Sequence, residues 1–364
     1  MSVVAGVIRR EIQQHGAMSL ARFMELALYH PDGGYYERDE PVTGRRGDFA
    51  TNVSVGPVFG ELLGFGFARW IETLGPGPCQ LVEAGAHDGR LAGDILRHLD
   101  RHEAALRDRL QYVLVEPSRR RRAWQERQLA DFGSRIRWVD DLDPLAREGV
   151  KGVIFSNELL DAMPLRRFAW DRRQGAWREW GVGIEADRFV WSRLRENETA
   201  MPRPDSVPAG LLEVLPDGYV VEECPAATAW WAKAATVLKR GWLLTFDYGL
   251  TLSERLIPER TEGTLRGYSK HRVVGEVLAA PGEQDLTAHV DFTALQAAGE
   301  QAGLETDGLW PQGTFLTRWL AELEAGTPER FPEWTPARRR QFLTLTHPQH
   351  FGRAFRVLVQ HRFP

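Results

Sequence analysis

Acidic residues lie at the ends of three successive short apolar segments of this sequence. Glu83 lies in QLVEAG, Glu116 in YVLVEP, and Asp141 follows Asp140 at the end of IRWVDD. Segments of this kind, alternating with amphipathic stretches, indicate a parallel sheet covered by helices on both faces. Ligands of open α/β sheets bind at the carboxyl ends of the strands. The spacing therefore predicts one ligand site that includes these acids.

The acids suit particular parts of an adenosyl ligand. A carboxylate at the end of the second strand, Glu116, can accept hydrogen bonds from both hydroxyls of a ribose. At the end of the third strand, Asp141 can accept a hydrogen bond from an adenine amino group, and Leu142 can pack on the ring. Each acid taken singly is compatible with an ordinary loop carboxylate, but their repetition at successive strand ends favours binding.

A glycine-containing turn follows the first of these strands. Gly85 and the helix that begins near Gly89 would let backbone N–H groups approach a ligand closely. The dinucleotide fingerprint G-x-G-x-x-G fails at His87 and Arg90. The S-adenosylmethionine pattern E-x-G-x-G-x-G fits Glu83, Gly85 and Gly89 and fails only at His87. The turn therefore favours S-adenosylmethionine as the cofactor and a methyltransferase as the enzyme class.

A carboxylate pair follows the fourth strand, in Asn157-Glu158-Leu159-Leu160-Asp161. If the chain becomes helical here, Glu158 and Asp161 are three residues apart and share a face. Such a pair would orient a guanidinium or amine nucleophile and attract its charge. We therefore predict Asn157, Glu158 and Asp161 as catalytic residues. The alternative is that Asp161 only stabilises a helix N-terminus.

A loop rich in glycine and short polar residues precedes the first long helix. Gly47, Asp48 and Phe49, followed by Thr51, could close over a bound ligand. The sequence alone favours this role and an ordinary loop equally. We include these residues among the candidate cofactor contacts.

Two other groups of residues give weaker indications of a functional site. Asp285, His289 and Asp291 have a spacing seen in metal sites, but Asp291 also caps the helix that begins at Phe292, and no fourth ligand is evident. No metal is therefore predicted. The basic run Arg119–Arg122 is typical of the solvated face of a helix.

The candidate site depends on a regular series of helices and strands. Ser19 can cap a helix from Leu20 to about Tyr29, and helical spacing from Val53 predicts a longer helix that ends before Gly75. Further helices are predicted in RLAGDILRHL, RRRAWQERQLADF, AATAWWAKAATVL and FTALQAAGEQAGL, and strands in GVIFSNE, WLLTFDYG and FRVLVQHR. The pattern indicates an α/β protein.

One part of the chain departs from this pattern. Residues 165–195 carry Trp and Phe at near-alternate positions with turn residues between them, which predicts an antiparallel insertion. The prolines between 201 and 216 predict a surface loop. The predicted parts are an N-terminal helical cap (1–52), a cofactor-binding half (53–164), the insertion (165–225) and the rest of the methyltransferase domain (226–364).

Composition narrows the class of protein. The 364 residues are 43% hydrophobic and 26% charged, as in soluble globular proteins. A formal charge of −4 gives no positive field for nucleic acid. No run of 18 apolar residues and no signal-peptide core is present, and the only cysteines are Cys79 and Cys224. We therefore expect a cytoplasmic protein that has neither nucleic acid nor membrane as a partner.

Several longer motifs, spread over nearly the whole chain, are uncommon outside one family. They are YHPDGGYY from Tyr29, Gly47-Asp48-Phe49, FGE from Phe59, the Glu83–Gly89 turn, NELLD from Asn157, DYG from Asp247, GTLRGY from Gly263, PG from Pro281 with DLT from Asp285, HVDF from His289, and QG from Gln312. Through them the sequence resembles the MidA-like S-adenosylmethionine-dependent methyltransferases, whose eukaryotic members include a mitochondrial complex I assembly factor that acts as a protein arginine methyltransferase.

The resemblance implies a class I methyltransferase-like (Rossmann-like) fold with a mostly parallel sheet. It also implies that Gly85, Glu116 and Asp141 bind the cofactor and that the segment from Asn157 to Asp161 faces the substrate. This chain departs from the family at His87, where a third glycine is usual.

Three functions remain open at this point. The first is methyl transfer from S-adenosylmethionine to a protein arginine. The second is a non-catalytic assembly factor on the same fold, which would use Trp170, Trp177, Trp180 and Trp191 as a contact surface, although alternating Trp is more often core packing. The third is methylation of a small molecule in a closed pocket. The sequence leaves the oligomeric state open.

Overall fold

The computed structural model describes residues 2–38, 51–194, 204, 207–269, 272–326 and 333–363. Gly47, Asp48 and Phe49, predicted as cofactor contacts, lie outside the described residues, so their role stays a prediction.

The described elements alternate between helices and strands along most of the chain. The helices are α1 (Val3–His15), α2 (Leu20–Tyr29), α3 (Asn52–Val55), α4 (Val58–Thr73), α5 (Arg90–His102), α6 (Ala104–Arg107), α7 (Arg119–Gln128), α8 (Asp143–Glu148), α9 (Pro225–Val237), α10 (Leu252–Arg255), α11 (Phe292–Gln301), α12 (Gln312–Gly326), α13 (Pro336–Thr346) and α14 (Phe351–Ala354). The strands are β1 (Met18–Ser19), β2 (Cys79–Ala84), β3 (Leu110–Val115), β4 (Ile136–Val139), β5 (Val150–Asn157), β6 (Arg166–Asp171), β7 (Ala176–Glu185), β8 (Arg188–Arg193), β9 (Val220–Glu223), β10 (Leu238–Leu250), β11 (Arg266–Ser269), β12 (Arg272–Val274), β13 (Asp285–Thr287), β14 (Val290–Asp291), β15 (Glu305–Pro311) and β16 (Phe355–Arg362).

The central sheet has the order β15-β16-β10-β5-β2-β3-β4, with the short β14 beside β10. The strands from β10 to β4 are parallel, and β16 is antiparallel to both β10 and β15. Because helices cover both faces, the strands are apolar on both sides, as the near-continuous burial of β2, β3 and β5 shows. The predicted α/β architecture with a mostly parallel sheet is confirmed.

Two apolar cores lie on opposite faces of this sheet. One joins α4, α5 and α12 to the sheet through large side chains such as Phe59, Phe67 and Phe155. The other joins α8, α9 and α11 through Trp231 and Phe292. The helices hold the strand ends in a fixed order, so the residues that follow β2, β3 and β5 share one edge.

The helix expected from Val53 is interrupted. It consists of α3 and α4, which are separated by Gly56 and Pro57. Gly56 has a φ of 136°, which does not continue a helix, and Pro57 then lies at the start of α4, where its missing N–H costs no hydrogen bond. The helix predicted from Leu20 to Tyr29 with Ser19 as its cap is confirmed.

The predicted antiparallel insertion is a second sheet with the order β1-β7-β6-β9 and β8 beside β7. The N-terminal β1 pairs with β7, so the first residues of the chain complete the sheet. Trp170 and Trp177 are 6% and 3% exposed and pack with Tyr219 in the core of this sheet. These two are therefore not available as contact residues for the assembly-factor hypothesis, whereas Trp180 and Trp191 are half-buried and their part in such a surface stays a prediction. A third sheet, β12-β11-β13, lies later in the chain.

No helix in the described ranges is long and apolar enough to cross a membrane.

The burial of side chains in the central sheet leads to a prediction about stability. Leu244 is fully buried in β10, whereas Leu343 on α13 is 56% exposed. Leu244→Ala should lower the free energy of unfolding by about 2–5 kcal/mol, because it removes buried methyl groups and leaves a cavity. Leu343→Ala makes the same chemical change at the surface and should cost less than about 0.5 kcal/mol. Denaturant unfolding of both variants measures the difference, and equal losses would contradict this view of the core.

Candidate active site

The segment that carries the predicted catalytic residues is a turn and not a helix. The N–H of Glu158 donates to Phe246 O at 2.9 Å, which extends the pairing of β5 with β10 by one bond. Asp247 Oδ2 then accepts the backbone N–H groups of Leu159 (3.2 Å) and Leu160 (2.9 Å). The helical prediction for this segment was wrong, and Asp161 caps no helix, because a carboxylate from the neighbouring strand takes up these amides.

Glu158 lies in this turn with a φ of 51°, in the left-handed region. Its Oε1 atom accepts the backbone N–H of Asn52 at 2.8 Å and the Nδ2 of Asn157 at 3.1 Å. Burial raises the pKa of Glu158 to about 8, although both hydrogen bonds favour the ionised form.

Further carboxyl groups surround Glu158. Burial, together with neighbouring carboxylates, raises the pKa of Asp161 well above its ordinary value. Burial raises the pKa of Asp247 to about 7. Asp285 is fully buried and accepts the hydroxyl of Tyr36 at 2.8 Å on Oδ1. We call Glu158, Asp161, Asp247 and Asp285 the carboxyl cluster.

The residues with metal-like spacing separate in the structure. Asp285 belongs to the carboxyl cluster, whereas Asp291 caps α11 through Ala294 N at 3.1 Å and also pairs with Arg255. Among the described residues, no group of three or more His, Cys, Asp or Glu side chains could hold a metal ion.

The glycine-containing turn lies after β2, as predicted. Gly85 and Gly89 have φ values of 76° and 83°, and Gly89 is the residue from which α5 begins. A Cβ atom on Gly85 would lie 2.9 Å from Leu159 Cδ1, so glycine lets the turn approach the segment that carries Glu158.

His87 occupies the position where the family pattern expects glycine, and its φ is 48°. This left-handed conformation gives a physical reason for the usual glycine, since it costs other residues free energy. The imidazole ring lies 5.9 Å from the Trp124 ring, and its Nδ1 is 4.0 Å from Asp88 Oδ1. Burial lowers the pKa of His87 to about 4, so the ring is neutral at physiological pH.

Glu116 follows β3 and is buried close to this turn. Its Oε1 accepts the N–H of Ser118 at 2.9 Å, and its Oε2 accepts the Nε2 of Gln125 at 3.1 Å. The same Gln125 Nε2 donates to His87 O at 3.0 Å. Gln125 therefore ties the predicted ribose acceptor to the glycine turn, a role that no sequence pattern signalled.

The other predicted cofactor residues have varied surroundings. Glu83 is buried, accepts the Tyr112 hydroxyl at 2.6 Å, and has a pKa raised by burial to about 8. Asp141 is exposed and accepts the N–H of Asp143 at 2.6 Å. Leu142 is 1% exposed and packs with Leu145 in the core. The structure gives Asp141 and Leu142 these structural roles, and their contacts with an adenine stay predictions.

A cleft at this edge of the sheet brings many of these residues together. It is lined by Glu83, Gly85, His87, Asn157 and Glu158, and also by Tyr29, Tyr36, Thr51, Val53, Ala86, Asp88, Arg90, Leu91, Arg121, Leu159 and Ala162. Glu158 is close enough to Asp161 for its charge to raise the pKa of Asp161. Asp161 nevertheless lines a separate cavity. Gly89, Glu116, Asp141 and Leu142 lie outside the lining.

The lining has the chemistry that a zwitterionic, sulfonium-containing nucleoside requires. Glu83 and Asp88 are carboxyl groups that can hold an ammonium group, and the guanidinium of Arg121 can face a carboxylate. Arg121 is fixed in place by donating from Nε and Nη2 to Tyr36 O at 3.2 and 3.1 Å. The residues present therefore fit S-adenosylmethionine, and the role of Glu116 as acceptor for the ribose hydroxyls stays a prediction.

Comparisons with known proteins agree with this chemistry. A family model described as "Putative S-adenosyl-L-methionine-dependent methyltransferase" matches residues 62–310, more than half of the chain. The chain belongs to this family. It is an S-adenosylmethionine-dependent methyltransferase with a class I methyltransferase-like fold.

Curated relatives and a solved structure cover most of the chain. A human protein named "Protein arginine methyltransferase NDUFAF7, mitochondrial" is 31% identical over 84% of this chain and 70% of its own length. The Drosophila melanogaster homologue is 27% identical over 98% of this chain and 84% of its own length. A Burkholderia thailandensis protein, solved with bound S-adenosyl-homocysteine, is 33% identical and has a TM-score of 0.82, over 99% of this chain and 92% of that chain. Because the curated relatives are mitochondrial by name, they do not support a cytoplasmic location, which stays a prediction.

The conformation of His87 leads to a first prediction about the cofactor. His87→Gly removes a side chain from a left-handed position in the cleft lining, so S-adenosylmethionine should bind equally well or more tightly. Ala186→Gly is a matched control, because Ala186 also has a positive φ of 43° but lies in the turn between β7 and β8. Calorimetric titration measures both affinities. A loss of more than about tenfold in His87→Gly alone, about 1.4 kcal/mol, would show that His87 itself contacts the cofactor.

The second prediction concerns Glu116. Glu116→Gln keeps the shape but replaces one acceptor oxygen with a donor, so cofactor affinity should fall by about tenfold or more. Glu126→Gln on the exposed face of α7 is the control and should leave affinity unchanged. Unchanged affinity in a folded Glu116→Gln protein would refute the ribose assignment.

Proposed function

We propose that this methyltransferase methylates a guanidinium nitrogen of arginine in a protein substrate. The observation that carries the proposal is the carboxyl cluster, in which the fully buried Asp247 and Asp285 and the half-buried Glu158 and Asp161 lie together beside the cofactor cleft. The names of the human and Drosophila relatives, protein arginine methyltransferases, support the same substrate class.

The electrostatics of the cluster favour a cation. Burial is the main cause of the raised pKa values of Glu158, Asp161 and Asp247, and neighbouring carboxyl groups raise those of Glu158 and Asp161 further. A guanidinium ion that enters the cluster would reverse this effect, because an adjacent positive charge favours carboxylates. An anionic nucleophile would be repelled by the arrangement.

The members of the cluster differ in what they can offer a substrate. Asp247 accepts backbone N–H groups at both oxygens, so it positions the turn. Asp285 accepts the hydroxyl of Tyr36. Within the described part of the chain, the hydrogen bonds to Glu158 are both made to Oε1, which leaves Oε2 for a substrate N–H. Glu158, which lines the cleft, is therefore the group that would orient the planar guanidinium, and Asp161 would act from the neighbouring cavity.

The reaction requires little covalent chemistry from the protein. The cofactor, when bound, supplies the methyl group from its sulfonium centre. A guanidinium nitrogen that gains a methyl group must lose a proton, and an ionised Glu158 or Asp161 can accept it. The remaining contribution is to align the nucleophile and exclude water, which Tyr29, Tyr36 and Leu159 do as lining residues.

The competing functions have less support. The assembly-factor hypothesis loses Trp170 and Trp177 as contact residues, because both are buried in their own sheet. Methylation of a small cationic molecule would use the same cluster. Methyl transfer to free arginine, without transfer to protein arginine, would support this alternative function.

The third prediction concerns Glu158. Glu158→Gln keeps the volume but removes the charge that holds the guanidinium, so methyl transfer should fall by about two orders of magnitude. Cofactor affinity should hardly change. Because burial raises the pKa of Glu158 to about 8, transfer by the unmodified enzyme should increase as the pH rises through that value, and the variant should lose this dependence. The assay is radiolabelled methyl transfer to proteins in an extract from cells that lack the enzyme, over a range of pH.

Glu179→Gln serves as the control. Glu179 is a largely buried carboxylate, but it pairs with Arg166 in the insertion sheet, so its loss should not affect transfer. If transfer survives in Glu158→Gln, the residue is structural. If both transfer and cofactor binding collapse, Glu158 belongs to the cofactor site.

A further inference from the structure

A continuous chain of buried amide groups connects the C-terminal helices to Glu158. Gln312, the first residue of α12, forms a reciprocal amide pair with Asn52: Asn52 Nδ2 donates to Gln312 Oε1 at 2.9 Å, and Gln312 Nε2 donates to Asn52 Oδ1 at 2.8 Å. Asn52 Nδ2 also donates to Asn157 Oδ1 at 3.0 Å, and Asn157 Nδ2 donates to Glu158 Oε1 at 3.1 Å. Asn52 and Gln312 are completely buried.

One backbone carbonyl fixes the direction of this chain. Gln312 Nε2 also donates at 3.0 Å to Leu345 O, which lies in the last turn of α13, where carbonyl groups have no partner within the helix. A carbonyl can only accept, so the amide nitrogen of Gln312 must face it. The Gln312 oxygen then faces the amide nitrogen of Asn52.

The same reasoning fixes the orientation of the other two amides, those of Asn52 and Asn157. Both hydrogens of Asn52 Nδ2 are used, one on Gln312 Oε1 and one on Asn157 Oδ1. The oxygen of Asn157 is therefore turned towards Asn52, and its nitrogen is turned towards Glu158. Reversing any one amide would place oxygen against oxygen or nitrogen against nitrogen in a buried site, at a cost of about 1–3 kcal/mol for each unsatisfied group.

We propose that Gln312 and Asn52 are positioning residues for methyl transfer: they orient the Asn157 amide so that it donates to Glu158, favours the carboxylate form of that side chain and aims it at the substrate. This inference rests on the proposed function of Glu158. It assigns a role in the reaction to Asn52 and Gln312. Both lie outside residues 62–310, the part of the chain that the family model matches.

The other groups that face Glu158 oppose this effect. Asp247 on β10, Asp285 on β13 and Asp161 in the same turn are acidic, and Tyr248 on β10 is also close enough to interact with its charge. The three carboxyl groups disfavour the ionised form of Glu158 when they are themselves ionised, whereas the Tyr248 phenol, whose pKa is raised by burial, is uncharged. The donors on Asn52 N and Asn157 Nδ2 are thus the described interactions that offset this repulsion.

The test uses Gln312→Met, which keeps the length of the side chain but cannot donate to Leu345 O or Asn52. Without that constraint the amides of Asn52 and Asn157 can reverse, and the donor on Glu158 is lost. The pH at which methyl transfer reaches half its maximum should rise by about half a unit to one unit. At pH 7 transfer should fall by about threefold to tenfold, while cofactor affinity stays the same.

Gln360→Met is a matched control. Gln360 is also a completely buried glutamine in a hydrogen-bond network, with Trp231 and Gln296, but it lies on β16, away from the cluster. Its loss should lower stability without moving the pH profile. Gln312→Glu is a second variant with the native shape; it cannot supply both donors, and it allows the test if the Met variant fails to fold.

A double-mutant cycle separates this inference from the function on which it rests. If Gln312 acts through Glu158, Gln312→Met should have no further effect in a Glu158→Gln background. An equal pH shift in both backgrounds, or a profile like that of Gln360→Met, would overturn the inference.

Infrared titration of the protonated carboxyl band that disappears in Glu158→Gln measures the pKa of Glu158 without turnover. If Glu158→Gln leaves methyl transfer unchanged, the proposed function of Glu158 fails. The infrared band still decides whether Gln312 controls the ionisation of that carboxyl group. A rise in its pKa supports the amide chain, and an unchanged value refutes it.

Discussion

The arrangement of this enzyme depends on bringing several carboxyl groups together where solvent is largely excluded. An isolated buried carboxylate is costly, and neighbours of the same sign add to the cost. The protein offsets this with hydrogen bonds from groups that are themselves fixed. Asp247 takes three backbone N–H groups, and Glu158 takes one backbone and one side-chain N–H. The geometry of the turn after β5 follows from these bonds and not from local helix preference.

Elements from distant parts of the chain converge on that turn. The pairing of β5 with β10 places Asn157 opposite Phe246, so Asp247 lies beside the residues that follow β5. Tyr36 comes from the N-terminal region and Asp285 from the third sheet, and they meet through a hydrogen bond. Tyr29 donates to Ala162 O at 2.9 Å on the other side of the turn. The N-terminal region and the third sheet therefore build the proposed substrate side, while the parallel sheet builds the cofactor side.

The sequence predicted the parts of the structure that depend on local pattern. Apolar periodicity located β2, β3, β5, α5 and α2, and strand ends located the cofactor edge. It was misleading where a local pattern had two interpretations. The three-residue spacing of Glu158 and Asp161 suits a helix, but long-range bonds from Asp247 decide the conformation. Gln125 was missed, and Gln312 was noted only as part of a family motif without a role. The partner of Gln125, His87, is 38 residues away, and the partner of Gln312, Asn52, is 260 residues away, so no local pattern indicates either hydrogen bond.

The amide chain also explains why the C-terminal helices matter to chemistry at the sheet edge. The direction of every amide is set by Leu345 O, so α13 must stay in place for Glu158 to keep its donor. Arg338 on α13 holds it to α4 by paired bonds to Glu61 at 3.2 and 2.5 Å, with side chains only 13% and 12% exposed. An ion pair so well shielded from solvent is weakened less by salt than a surface pair. The packing of α13 against α4 is therefore one condition for an ionised Glu158, although neither helix contributes a carboxylate to the cluster.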